Sequence, residues 1–379
     1  MGRNSSEDPN RELLKKAIKQ RKERFRKTRR KNFTRQARQG DLEEEDLREF
    51  VPSRQRDTTL DEKELKGEYR HYSEGSGEAD FAGTVVEVYP RGGLVRTSEH
   101  EYILCETAEY MWSKNETPVA AGDEAECVLI NDDEYEYSGI IIGIQPRRNV
   151  VSLPKASSGM IYEKILASNI DLYIVVDSLT KPELQPSFID RSLIVGQREG
   201  DKTMVLCINK VDLSDSIPPE IDEYRACVDH LFCMSAKTGE GVEQLAALLK
   251  GKKGVMTGRS GVGKSSLLNC LCPELNIDTQ PVMKKGGKGT HTTRRCSLYE
   301  LPEGGMIIDT PGIKEIGLVN IEKSELTWYF PEFYEYREQC RFSDCTHSHE
   351  PKCAVKQAVD RGNIPEFRYS HYLRILESL

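Results

Sequence analysis

The sequence contains no uninterrupted run of about 18 apolar residues, which is the length that a membrane-spanning helix requires. Its basic N-terminal stretch is not followed by the apolar segment that a secretory signal carries. A disulfide framework is not expected either, because the eleven cysteines are odd in number and scattered along the chain. We therefore expect a cytoplasmic protein with reduced thiols and no contact with a membrane.

Charge is distributed unevenly along the 379 residues. Residues 1–40 contain 15 Lys and Arg against 4 Asp and Glu, whereas the other 339 residues contain 39 against 58. A basic arm on an acidic body predicts a polyanionic partner that is reached through the arm. Because its apolar residues are few, segment 1–67 is expected to be disordered when free. Residues 11–38 lack Gly and Pro and are compatible with a helix in the bound state.

Residues 80–146 show short stretches of alternating hydrophobic and polar residues, separated by glycine-containing turns. Five short strands predict a small β-barrel, for which the pattern leaves an OB-type and an SH3-like arrangement open. The predicted strands are 81–89, 93–97, 101–106, 125–130 and 138–144.

Between residues 168 and 309, β-branched runs alternate with helical stretches. This alternation predicts a parallel sheet with helices on both faces. The predicted strands are 170–176, 204–208, 230–234, 254–257 and 306–309, and the predicted helices are 188–197, 242–249 and 266–271. The predicted domains are a basic extension (1–67), an OB-like barrel (68–151), an α/β domain (152–325) and a small, mainly helical C-terminal domain (326–379).

Residues 258–265 match the phosphate-binding pattern G-x-x-x-x-G-K-S/T and lie between a predicted strand and a predicted helix. Glycines allow the backbone amides to curl around phosphates, and the helix N-terminus adds a favourable dipole. Lys264 is expected to reach the β- and γ-phosphates and to act in catalysis, while Ser265 is expected to bind Mg²⁺. The predicted nucleotide contacts here are Gly258, Arg259, Ser260, Gly261, Val262, Gly263, Lys264, Ser265 and Ser266.

Two further motifs, N-K-x-D at 209–212 and S-A-K at 235–237, each follow a predicted strand. The carboxylate of Asp212 can accept from both the N1 and N2 hydrogens of guanine, a donor pair that adenine lacks. Lys210 is expected to lie along the base, Asn209 to brace the loop, and the S-A-K amides to contact the guanine O6. The residues predicted to select the base are Asn209, Lys210, Asp212, Ser235, Ala236 and Lys237.

Residues 309–312 match the pattern D-x-x-G, in which Asp309 binds Mg²⁺ through water and the Gly312 amide senses the γ-phosphate. The basic segment 284–293 is the predicted switch, with Thr292 or Thr293 on Mg²⁺ in the triphosphate state. Position 313 holds Ile where Ras-like enzymes have the glutamine that orients water, so His291 is the predicted catalytic residue.

A Cys/His cluster near the C-terminus places three thiolates and an imidazole within 14 residues. This set is typical of a closed, tetrahedral zinc site with a structural role. The predicted ligands are Cys340, Cys345, His347 and Cys353, with His349 as an alternative for the imidazole.

The base-selecting motifs precede the P-loop, the switch and D-x-x-G, which is a circular permutation of the order in Ras-like GTPases. With a barrel before these motifs and a Cys/His cluster after them, residues 80–379 resemble the ribosome small-subunit-dependent GTPase A family. The matching motifs are 258–265, 209–212, 235–237, 289–293, 309–312 and the four cluster residues.

This resemblance implies a GTP hydrolase that forms GDP and phosphate, is stimulated by the small ribosomal subunit and acts late in the maturation of that subunit. It also implies nucleotide-gated binding to 16S rRNA, an OB-type barrel, one structural zinc, Mg²⁺ with GTP, and catalysis by His291. We expect a cytoplasmic monomer. Arg294 stands where the family usually has a third threonine, and the basic arm is longer than expected for the family.

Two other functions remain open from the motifs. A nucleotide-gated RNA-binding module with incidental hydrolysis would carry the same site. A P-loop ATPase or kinase is a third possibility, but it would leave Asp212 without a role.

Overall fold

The structure is a computed structural model that describes residues 78–114, 117–130, 137–157, 160–198, 201–275, 296–310, 318 and 321–379. Segment 1–67 lies outside these residues. Its predicted disorder and its predicted polyanionic partner therefore stay predictions. Contacts divide the chain into two compact units. Among the described residues, the first contains those up to Val85 and those within Tyr89–Val119 and Glu124–Gln145, and the second contains those within Val86–Val88, Ala120–Asp123 and Pro146–Leu379. Within the described ranges, no helix has the length and apolarity needed to cross a membrane.

The first unit is built around a five-stranded barrel. Neighbouring strands pair in the order β1-β2-β3-β5-β4, and β4 also pairs with β1, which closes the barrel. Strands β3 and β5 run parallel, whereas β2–β3, β4–β5 and β1–β4 are antiparallel. The strands are β1 (Phe81–Tyr89), β2 (Gly92–Thr97), β3 (Tyr102–Thr107), β4 (Glu124–Leu129) and β5 (Gly139–Ile144), with helix α1 (Glu109–Lys114) between β3 and β4. The predicted OB-like barrel is confirmed.

Each strand of the barrel contributes one side chain that is fully buried. These fully buried residues are Val85, Val95, Cys105, Cys127 and Ile141. The backbones of β2 and β3 approach each other closely at Gly92. A Cβ atom on this residue would lie only 2.0 Å from the Cys105 carbonyl oxygen. Burial does not alternate strictly along these strands, since β2 and β5 each contain runs of consecutive buried residues.

The second unit begins with an antiparallel hairpin of β6 (Val150–Ser157) and β7 (Met160–Ser168). The sequence pattern did not predict this hairpin. Polar residues and Pro154 interrupt the apolar run of β6, and the pairing contains a register shift after Val151. Without regular alternation, neither strand gives the pattern on which the prediction of the other strands depends.

The hairpin leads into six neighbouring strands of a sheet, which pair in the order β10-β9-β8-β11-β13-β12. Strands β8 to β11 and β13 pair in parallel, and among these six strands only β12, which lies beside β13, runs antiparallel to its neighbour. The strands are β8 (Leu172–Ser178), β9 (Thr203–Asn209), β10 (His230–Cys233), β11 (Lys253–Gly258), β12 (Ser297–Glu300) and β13 (Met306–Asp309). The predicted parallel sheet is confirmed, and its carboxyl edge is where such sheets bind ligands.

Helices α2 (Pro186–Gln197), α3 (Val242–Leu249) and α4 (Lys264–Leu271) connect the parallel strands. Every residue of β8 is buried, as expected for a strand covered on both faces. Leucines from α3 and α4, including Leu245, Leu249, Leu267 and Leu268, form a core with Ile174 and Met256 of the sheet.

The C-terminal region is helical, with α5 (Tyr334–Arg337), α6 (Ala354–Asp360) and α7 (Glu366–Ser378) preceded by two short 3₁₀ helices, Leu326–Tyr329 and Pro331–Phe333. Its core is aromatic. The ring centroids of Phe330, Phe333 and Tyr372 lie 4.9 to 5.4 Å apart. The predicted helix at 366–379 matches α7.

A buried ionic network packs α7 against α2 within the second unit. The Arg368 guanidinium donates to Asp190 of α2 and, through Nε at 2.6 Å, to Glu332. Asp190 also accepts from Tyr224 at 2.9 Å and contacts His371. Because buried charges are stable only when they are paired and hydrogen-bonded, this set fixes the C-terminal helices on the sheet domain.

Candidate nucleotide site and candidate metal centre

The P-loop (residues 258–265) connects β11 to α4 at the carboxyl edge of the sheet. Gly258 has no space for a side chain, since a Cβ atom there would lie 2.3 Å from the Val176 carbonyl oxygen. Gly261 and Gly263 have φ angles of +83° and +98°, which only glycine adopts easily. Ser260 is exposed, and Ser265 and Ser266 are half-buried in the first turn of α4.

Lys264 is held inside this loop. Its Nζ donates to the carbonyl oxygens of Gly258 at 2.7 Å and Arg259 at 3.1 Å. Burial lowers the pKa of the Lys264 ammonium, and the nearby Asp309 carboxylate opposes that shift. The loop therefore fixes one cation where a bound phosphate would be expected.

Asn209 links three loops through one buried amide. Its Nδ2 donates to the Val262 carbonyl oxygen of the P-loop at 2.9 Å, and its Oδ1 accepts from the Ala236 backbone N–H at 2.9 Å. The N-K-x-D, P-loop and S-A-K segments are thus brought to one edge, as the sequence motifs predict.

The other residues of the N-K-x-D motif are also held in place. Lys210 Nζ donates to the Gly261 carbonyl oxygen at 2.6 Å, so its side chain lies across the P-loop. Burial lowers the Lys210 pKa, and Asp212 opposes the shift. The Asp212 carboxylate accepts from Ser235 Oγ at 2.7 Å and lies 3.8 Å from Lys237 Nζ. The S-A-K loop thereby orients the carboxylate.

Asp309 ends β13 and is almost fully buried beside Met256 of β11. Thr310 Oγ1 donates a hydrogen bond of 2.8 Å to the Met256 carbonyl oxygen, which fixes the chain just after Asp309. The remaining predicted residues of the γ-phosphate side lie outside the described residues, and their roles stay predictions. These residues are His291, Thr292, Thr293 and Gly312.

Sequence reasoning missed an acidic residue at the same edge. Asp177 lies near the end of β8, is fully buried and forms an ion pair of 2.6 Å with Arg259 of the P-loop. A signal was present, because Asn209 and Asp309 likewise end the buried strands β9 and β13.

The C-terminal cluster brings the four predicted ligands together, with one donor atom of each within 4.8 Å of the others. Cys340 Sγ lies 3.8 Å from Cys353 Sγ, and His347 Nδ1 lies 3.5 Å and 3.4 Å from these two sulfurs. Ordinary zinc–ligand bond lengths in a tetrahedron require about 3.8 Å between sulfurs and about 3.6 Å between sulfur and nitrogen. Donor types and spacing therefore fit a zinc-sized cation.

The loop that carries His347 is fixed by its surroundings. Tyr369 and Tyr372 of α7 donate to the carbonyl oxygens of His347 and Thr346, each at 2.7 Å. His347 is 2% exposed and points into the cluster, whereas His349 bonds to Ser348 Oγ at 3.0 Å and lies outside the group of four. The imidazole of the cluster is thus that of His347.

Comparisons with known proteins agree with this arrangement. A profile of the RsgA GTPase family matches residues 144–319. The small ribosomal subunit biogenesis GTPase RsgA of Chlorobaculum parvum is 33% identical over 306 residues, which are 79% of this chain and 98% of that protein. The protein of the same name from Actinobacillus pleuropneumoniae is 36% identical over 321 residues, 83% of this chain and 90% of its own.

Two solved structures are similar to this chain over nearly the same share of its length. The crystal structure of YjeQ from Thermotoga maritima has a TM-score of 0.60 at 33% identity and covers 79% of this chain and 98% of its own. The crystal structure of YloQ, described as a circularly permuted GTPase, has a TM-score of 0.57 at 26% identity, with 78% and 93% covered.

The link between Asn209 and the P-loop predicts the effect of adding one methyl group. A Cβ atom on Gly263 would lie 2.3 Å from Asn209 Nδ2. Gly263→Ala is therefore expected to weaken GDP binding by roughly tenfold or more, since it strains a positive φ angle and displaces a buried hydrogen bond. Titration with a fluorescent GDP measures this change.

Gly251→Ala is the matched control. Gly251 also has a positive φ angle, +69°, but a Cβ atom there meets nothing within 4 Å. GDP affinity should stay at the wild-type value in this variant. Equal weakening in both variants would show that backbone strain alone, and not the Asn209 contact, controls binding.

Proposed function

The chain belongs to the RsgA GTPase family, and on this premise we propose that it hydrolyses GTP during biogenesis of the small ribosomal subunit, which stimulates its turnover. The observation that carries this proposal is the convergence of the P-loop, N-K-x-D and S-A-K segments through the Asn209 amide. We further propose that the protein acts late in maturation as a cytoplasmic monomer whose binding to 16S rRNA depends on the bound nucleotide.

Each loop at this edge has a proposed role. The P-loop amides and the N-terminus of α4 bind the phosphates, and Lys264 contacts the β- and γ-phosphates. Asp212 selects guanine, and its hydrogen bond from Ser235 supports this role by fixing the carboxylate. The backbone amides of residues 235–237 contact the guanine O6.

Magnesium would be bound by Ser265, by Thr292 or Thr293, and through water by Asp309. These are the hard oxygen donors that Mg²⁺ prefers, and Ser265 and Asp309 both lie at the P-loop edge. When bound, the ion neutralises charge on the β- and γ-phosphates. The backbone N–H of Gly312 would contact the γ-phosphate and thereby sense its presence.

His291 is proposed to orient the attacking water. Ile313 has no polar atom with which to do so, and a neutral imidazole can accept a hydrogen bond from water. The released products are GDP and phosphate.

Cys340, Cys345, His347 and Cys353 are proposed to hold one zinc ion as a structural link. All four protein ligands are present, so no position remains for substrate. The ion would fix the loop on which Tyr369 and Tyr372 pack.

Phosphate release from GTP, measured with and without purified small ribosomal subunits, tests the proposed function. Small subunits should raise the turnover rate by roughly tenfold or more, as activating partners do for other GTPases. Large subunits at the same concentration are the control and should have no effect. GTP-dependent binding to small subunits without any rise in turnover would instead support an RNA-binding module with incidental hydrolysis.

His291→Ala provides the matched catalytic variant for the same assay. Turnover should fall by about 10²- to 10⁴-fold, the usual contribution of a positioned proton-transfer group. GTP affinity should remain near the wild-type value. Equal loss of affinity and turnover would contradict a catalytic role.

If Asp212 selects the base, substitution of this residue should change which nucleotide is preferred. Asp212→Asn should replace guanine preference by xanthine preference, because the new amide can donate to the xanthine O2. Competition between GTP and xanthosine triphosphate for binding measures this exchange. Asp215→Asn, at an exposed position three residues later, should leave GTP preference unchanged. Unaltered GTP affinity in Asp212→Asn would refute the assignment.

The proposed zinc site predicts one zinc per chain in freshly purified, reduced protein, measured by elemental analysis. Cys353→Ser should lose the metal, since three ligands bind zinc much less tightly than four. Cys270→Ser changes an exposed thiol outside the cluster and should retain it. A wild-type protein without metal would contradict the proposal.

A further inference from the structure

A buried ion pair joins a P-loop side chain to the end of β8, and none of the roles described above uses this pair of side chains. Arg259, the second residue of the P-loop, places Nη2 at 2.6 Å from Asp177 Oδ1. The Asp177 side chain is fully buried, and that of Arg259 is 15% exposed. The same Nη2 donates to the Glu183 carbonyl oxygen at 2.5 Å. The guanidinium is therefore fixed from two sides.

Asp177 is a rigid anchor for this contact. Its carboxylate accepts from the Ser178 backbone N–H at 2.8 Å and from the Gln185 backbone N–H at 3.1 Å. These bonds tie it to the end of β8 and to the residue that precedes α2. Burial raises the Asp177 pKa, and the hydrogen bond and charge of Arg259 oppose that rise.

The backbone of Arg259 connects this pair to Lys264. The Arg259 carbonyl oxygen accepts from Lys264 Nζ at 3.1 Å, and the preceding carbonyl, that of Gly258, accepts at 2.7 Å. Holding the Arg259 side chain therefore limits movement of the peptide on which the ammonium rests. A shift of that peptide would redirect the cation.

We propose that Asp177 is a positioning residue for GTP hydrolysis, which acts through Arg259 to fix the P-loop carbonyl groups that orient Lys264. This inference rests on the proposed function, in which Lys264 contacts the β- and γ-phosphates. Charge on the transferred phosphoryl group is redistributed in the transition state, so a misdirected cation costs more there than in the bound ground state. The pair should therefore affect kcat more than nucleotide affinity.

Arg259→Ala tests the proposal in single-turnover hydrolysis by the full chain without ribosomes. The rate should fall by about 10- to 100-fold, the cost of a small misplacement of a reacting group. GDP affinity should change by less than about threefold, because Lys264 itself remains. Arg259→Lys keeps a cation opposite Asp177 and should restore most of the rate.

Asp177→Asn should lower the rate to a similar extent, and the double variant with Arg259→Ala should be no slower than the slower single variant. Such non-additivity is expected when two residues act as one unit. If Asp177→Asn does not fold, the comparison of Arg259→Ala with Arg259→Lys still decides the matter.

Arg147→Ala is the matched structural control. Arg147 pairs with Asp123 at 2.8 Å, and their side chains are 16% and 0% exposed, almost the same as for the P-loop pair. This second pair contains none of the predicted nucleotide residues. Its loss should lower the melting temperature as much as Arg259→Ala does, yet leave the rate within about twofold of wild type.

Failure of the proposed function and failure of the positioning role give different results. An inactive wild type, or an active Lys264→Ala, would overturn the proposed function. An active wild type and an inactive Lys264→Ala, together with an unchanged rate in Arg259→Ala, would overturn only the positioning role of Asp177. A rate loss in Arg147→Ala equal to that in Arg259→Ala would also overturn it, since destabilisation would then explain both.

Discussion

The geometry of the nucleotide edge depends on the buried amide of Asn209. This side chain has one donor group and one acceptor group engaged in different loops, the P-loop at Val262 and the S-A-K segment at Ala236. Because an amide that loses either partner leaves a buried polar group unsatisfied, the three loops keep one mutual arrangement. Gly263 is required for the same reason, since only a residue without Cβ fits against Asn209 Nδ2. The segments proposed to bind phosphate and to select the base therefore form one structure.

Circular permutation places the strand of the D-x-x-G motif directly before the C-terminal helices. These helices are not an independent attachment, because α7 contacts both the candidate metal loop and the sheet domain. Tyr369 and Tyr372 hold the loop backbone, while Arg368 contacts Asp190 on α2. Since α2 begins just after the backbone that Asp177 anchors, a series of polar contacts runs through the second unit from the P-loop to the candidate metal centre.

Much of this arrangement is readable from the sequence, because burial leaves a pattern. Strands such as 81–89 and 306–309 were predicted with the bounds that the structure has, since short runs of β-branched and apolar residues are typical of strands. The hairpin β6–β7 and the four-residue strand β12 lack that pattern. Asp177 could not be assigned a partner, because Arg259 lies 82 residues away in the chain. Spacing favoured His347 but left His349 as an alternative, and His347 is the histidine whose imidazole lies beside the thiols of the cluster.

The central claim is that the edge formed by these loops binds guanine nucleotides selectively. Competition at equilibrium tests it directly, with a fluorescent GDP bound to the purified full chain and unlabelled nucleotides added. GTP should displace the probe at concentrations similar to those of GDP, whereas ATP should displace none at a roughly thousandfold higher concentration, because a site built to pair with guanine leaves its carboxylate unpaired against adenine. Displacement by ATP over the same range as GTP would contradict the account.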